Sequence, residues 1–146
     1  MGESVSRRIV GATLVAGTLD ILSAVVYTLM AGRQPLNMLK GIASAIMPGA
    51  KDAGPGGAAV GLGLHFAIMA AMAAVFVLAA DRMPVLKSRW VLAGIAYGIA
   101  LWAVMNLIVL PLRFGGPLHF SAQGLAQQFF SHIVLVGLPI AWFARK

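Results

Sequence analysis

The sequence predicts an all-α membrane protein: a four-helix transmembrane bundle with a short amphipathic interfacial helix between the first and second spans. Three observations predict it. Of 146 residues, 60% are apolar and only 10% charged, where a soluble domain carries about 45–50% and about 25%. Four apolar stretches each reach the roughly 20 residues that a spanning helix needs. The basic residues fall in the gaps between those stretches and form no stripe with interleaved aromatics. They are therefore read as residues that fix orientation, and nucleic acid is not an expected partner. The chain has no cysteine, which removes disulfides, thiolate metal sites, iron–sulfur clusters and cysteine nucleophiles.

The first span is expected over about residues 9–31. Arg7 and Arg8 before it superficially suggest a signal peptide, but the apolar run is too long, contains Asp20 and lacks a small-residue cleavage site, so a retained helix is expected. Residues 35–48 are bracketed by proline, with Leu36, Leu39, Ile42, Ala43, Ile46 and Met47 at helical spacing. That stretch is too short to span and reads as an amphipathic helix in the outer interface, or as a partial re-entrant segment. A glycine- and proline-rich turn from Lys51 leads into the second span, about 57–80. The third is expected over about 90–112. A connection from Phe114 to Ser121, holding Gly115, Gly116, Pro117 and His119, leads to the fourth at about 122–144. The whole chain makes one domain.

Seven basic residues (Arg7, Arg8, Arg82, Lys87, Arg89, Arg145 and Lys146) fall on one side, against Arg33, Lys40, Lys51 and Arg113 on the other. Short loops counted this way place both termini in the cytoplasm.

Few polar side chains lie inside the spans, and each is costly there unless paired or set in a wet cavity. They are Asp20, His65, Asn106 and His132. Counted from the cytoplasmic ends at about 1.5 Å per residue, Asp20 and His132 lie roughly 17–18 Å in and the other two about 22 Å. Gly57, Gly61 and His65 repeat every four residues, which puts the histidine on a face where another helix can approach closely. Asp20 shares its face with Ala16, Gly17, Ser23 and Ala24. Gly94 and Gly98 give the third span a close-packing stripe. Asp20, His65 and His132 are therefore expected to point inward.

Three readings of this set stand side by side. One is a hydrogen-bonded polar core with Asn106 bridging helices. Another is a proton or ion relay through Asp20 and the two histidines, since histidine titrates near neutrality. The third is haem or metal ligation by His65 and His132, although no spacing completes a conventional metal set. No catalytic residue set stands out, so an enzyme is not expected. The first expectation for function is a non-enzymatic accessory or scaffold subunit of a membrane complex, working through helix–helix contacts, self-association included. The alternatives are a proton- or ion-coupled carrier and a haem-binding electron-transfer subunit; no other cofactor is expected.

Several residue sets also carry a resemblance. They are Gly17 to Asp20, Gly41 to Ser44, Leu64 to Phe66, Met105 to Leu107 with Leu110 and Pro111, and His132 with Gly137 to Ala141. In order and spacing, from about Gly11 to Ala144, the chain resembles small bacterial inner-membrane proteins of the YagU-like group, whose function is unknown. The resemblance implies a bacterial inner-membrane location and four helices. It sets Asp20, His65, Asn106 and His132 within shared motifs, without assigning them a role.

Overall fold

The computed structural model describes residues 3–115 and 119–146. Gly116 and Pro117 of the expected outer connection lie outside the described residues. Four helices are long and apolar enough to cross a membrane: α1 (Val5–Met30), α3 (Gly54–Arg82), α5 (Trp90–Phe114) and α6 (Ala122–Ala144). The shortest has 23 residues, about 35 Å at 1.5 Å per residue, enough for a hydrocarbon core of about 30 Å. Two shorter helices join them, α2 (Pro35–Ala43) and α4 (Pro84–Ser88). Among the described residues the fold is all-α, as the composition requires.

Local signals set the ends. Ser4 caps α1 by accepting from the Arg7 amide at 3.4 Å, so the helix starts four residues before the apolar run does. Hydropathy sees only the apolar part of a helix, and the capping residue lies outside it. At the other end Gly32 takes φ 68°. Its amide donates to the Leu29 carbonyl and that of Arg33 to Thr28, both at 2.9 Å, the paired closure that a left-handed glycine permits. Proline stands in the first turn of α2, α3 and α4, where its missing N–H costs nothing.

α2 is shorter than expected, ending at Ala43 instead of near residue 48. The Arg113 side chain, from the end of α5, donates to the carbonyls of Ser44 (2.8 Å) and Ala45. A guanidinium there satisfies carbonyls that the helix leaves open. Ile46, set at helical spacing with the apolar residues of that stretch, lies beyond the helix end and is 63% exposed. α2 also does more than lie in the interface, because it presses against α3. A Cβ on Gly61 would collide with the Leu39 carbonyl, and one on Gly57 with that of Ala50. The glycine stripe of α3 thus receives the connecting segment, not another span.

α5 and α6 each contain a π-helical stretch, Val104–Val109 and Ser131–Gly137. Each lies immediately before a Leu-Pro pair, Leu110-Pro111 or Leu138-Pro139. A proline inside a helix clashes with the carbonyl four residues earlier, and a wider turn relieves that clash. The two helices cross at glycine. Cβ atoms on Gly94, Gly98 or Gly137 would collide with backbone of the facing helix. The core beneath is built from small residues, with Ala12, Ala16, Ala73 and Ala141 fully buried. Large apolar side chains such as Leu14, Leu22, Leu92 and Leu107 point outward, which suits a surface bathed in acyl chains and would be a liability in water.

Glu3, Lys146 and α4 lie at one end of the bundle, while α2, the end of α5 and the start of α6 lie at the other. At the terminal end Arg8 is only 4% exposed. It holds Asp81 of α3 with two bonds of 2.9 and 2.6 Å and donates to the Ala144 carbonyl at 3.1 Å. Lys87 reaches the same carboxylate at 2.6 Å. One guanidinium therefore ties α1, α3 and α6 together, a role that its reading as an orienting charge did not contain. Arg145 lies over Trp90 and Trp142, 4.8 and 5.3 Å from the ring centres, as interface-anchoring tryptophans permit.

Candidate functional site: a polar cavity inside the bundle

The intramembrane polar residues expected from the sequence converge. Asp20 (α1), His65 (α3), Asn106 (α5) and His132 (α6) all line one cavity of about 250 Å³. A second cavity of about 540 Å³ shares Asp20, His132, Gln128, Ile42 and Leu110 with it and extends past Ser23, Tyr27 and Gln127. The shared walls make a vestibule that rises from Asp20 toward the α2 end of the bundle, with Met38 and Ile42 of α2 at its side.

Each polar side chain is held by backbone. The His65 ring donates from Nε2 to the Gly17 carbonyl at 2.9 Å, because a carbonyl can only accept. Gly17 makes that reach feasible, since a Cβ there would meet the Phe66 ring at 2.7 Å. Nδ1 of His65 is left facing Asp20 Oδ2 at 4.0 Å. A proton on either member leaves the pair with the same net charge, which suits a site where isolated charge is costly.

His132 and Asn106 share a device. His132 Nδ1 donates to the Gln128 carbonyl at 2.9 Å and Asn106 Nδ2 to the Trp102 carbonyl at 3.0 Å. Both acceptors lie four residues back on the same helix, two and three residues before a π-helical stretch begins. Asn106 was expected to bridge helices. It is buried, 3% exposed, but its hydrogen bond among the described residues stays within α5. Spans are joined beside it by His65 to Gly17 and by Ser23 to Ser131, a side-chain pair at 3.0 Å. Ser23 was noted for sharing a face with Asp20, whereas Ser131 gave no sequence signal because the π stretch shifts the helical phase.

The packing glycines hold this arrangement in place. Gly98 lets the α6 backbone at His132 and Ile133 come into contact with α5, fixing the height of His132. His119 is exposed outside the cavity.

The pair His65 and His132 does not fit a bis-histidine haem. His65 Nε2 is committed to Gly17, and a macrocycle between the rings would have to part helices that are already in contact. The inner cavity falls below the roughly 300–1,000 Å³ of typical ligand pockets. No group of three or more His, Cys, Asp or Glu side chains placed to hold a metal occurs among the described residues. Compared with known proteins, the chain matches no family model, no curated protein and no solved structure.

Proposed function

We propose that the protein is a proton-coupled carrier of a small solute, with Asp20 and His65 as the proton-holding pair and His132 at the mouth of the inner cavity. The observation that carries this reading is the convergence of Asp20, His65, Asn106 and His132 on a cavity continuous with a polar vestibule. A polar core serving only stability needs neither the space nor the unpaired acceptors. The scaffold reading drew on glycine-rich helices and on how little of the chain lies outside the spans. Gly57 and Gly61 are filled by the α2 segment, and Gly94 and Gly98 by α6, so those four glycines are already used within the chain. For location we propose the bacterial inner membrane, as the resemblance implies, with the basic terminal end in the cytoplasm and the vestibule opening outward.

The test uses vesicles holding the purified protein and a pH-sensitive dye inside, offered a panel of small amines, amides and carboxylates. At least one class should move protons faster than in protein-free vesicles, and Asp20→Asn should abolish the excess. If no member of the panel exceeds the protein-free baseline, the carrier reading is wrong.

A further inference from the structure

We propose that the solute is a protonated amine, an ammonium head bearing at least one N–H on a small apolar body, bound with its head between Asp20, His65 and His132. This deepens the carrier reading and rests on it. The warrant is an inventory of donors and acceptors. Each neutral histidine has one N–H, and each gives it to a backbone carbonyl, Gly17 for His65 and Gln128 for His132. Once the proton shared by Asp20 and His65 has left, what remains is a set of acceptors: Nδ1 of His65, Nε2 of His132, the Asp20 carboxylate and the side-chain oxygens of Asn106 and Gln128. On the donor side Asn106 keeps a single amide hydrogen and Gln128, on the same wall, its side-chain amide. An occupant that satisfies such a set brings several N–H donors, and an ammonium carries up to three.

Charge points the same way. The titratable groups lining the two cavities are Asp20 on α1, His65 on α3, His132 on α6 and, in the vestibule, Tyr27 on α1; α2 and α5 contribute none there among the described residues. No lysine or arginine lines either cavity among the described residues. The one carboxylate therefore lacks a permanent counter-charge, and a buried charge without one is costly. A carboxylate solute would add a second anion. A bare hard cation would need an oxygen cage, whereas Asp20, Asn106 and Gln128 share the wall with two imidazoles and with Met69, Met72 and Met105. Those polarisable side chains suit an alkyl body. Exchange is balanced: as the ammonium seats on the Asp20 carboxylate, the proton held there leaves through the vestibule, so one positive charge replaces another.

The experiment is calorimetric titration of the purified full chain in detergent with four butyl compounds: butylammonium, butyltrimethylammonium, butanol and butyrate. Butylammonium should bind at least tenfold more tightly than each of the others, the trimethyl compound failing because it has no N–H. Asp20→Asn should cost at least tenfold, and Asp20→Glu should keep most of the affinity. Equal or tighter binding of butanol or butyrate overturns the proposal even if no variant folds. So does unchanged binding in Asp20→Asn, or displacement of butylammonium by equimolar sodium. Asp20-dependent binding without coupled proton movement would sink the carrier and keep the amine site. Proton movement driven by carboxylates without amine binding would do the reverse.

Discussion

Asp20 and His65 show what a single residue can reveal at sequence level. Asp20 is the one carboxylate deep in a span, and His65 falls four residues after a glycine, so both inward orientations were legible from cost and phase alone. Arg8 was not. Its neighbours in sequence are those of any orienting arginine, and its partner Asp81 is 73 residues away. Arg8→Ala should lower thermal stability in detergent by about 1–3 kcal/mol, the cost of leaving buried polar groups unpaired, tempered because Lys87 still reaches Asp81. A melting curve unchanged from wild type would show that the clamp contributes nothing. Gly98→Ala should also destabilise by about 1–3 kcal/mol, as overpacking does, because the new methyl collides with backbone at His132. It should weaken butylammonium binding as well by shifting that histidine. A variant that melts and binds like wild type would refute the close crossing.

Among the elements, the four spans were legible and their ends were not, since caps and charged turns extend helices beyond the apolar run. α6 is the exception, its expected and observed limits both being 122–144, because Ser121 caps it where hydropathy begins. The π stretches in α5 and α6 were hidden, although Pro111 and Pro139 follow them directly, and Ser131 carried no signal of its own. α2 was recognised as a helix too short to span, but its length depended on Arg113, which lies 70 residues after Ala43 in the chain. Arg113→Ala should free the end of α2 and loosen the vestibule wall at Met38 and Ile42. A cysteine placed at Ile42 in the cysteine-free chain should then react with a thiol reagent at least threefold faster than in the Arg113 background. An equal rate would show that α2 is held without that contact.

For the molecule as a whole, the lipid-facing exterior and the small-residue core follow directly from composition, whereas the cavity does not. Its walls come from five helices, and its space exists because α2 leans on α3 and α5 is pinned to α6. A sequence can place polar residues at one depth; the volume left between them depends on how the helices cross. The vestibule's direction is likewise a property of the assembled bundle, since Ser23, Tyr27 and Gln127 matter only once α1 and α6 stand side by side.

Substituted-cysteine labelling in sealed vesicles tests that geometry most directly, using a membrane-impermeant thiol reagent on a chain that has no cysteine of its own. Cysteines replacing Ser23 and Gln128 should react when the reagent is on the α2 side and stay silent when it is on the terminal side. Leu14→Cys, on the outer surface, should stay silent from both. If Ser23→Cys and Gln128→Cys resist labelling from the α2 side, or react only from the terminal side, no solvent path reaches Asp20 through this vestibule and the carrier reading fails with it.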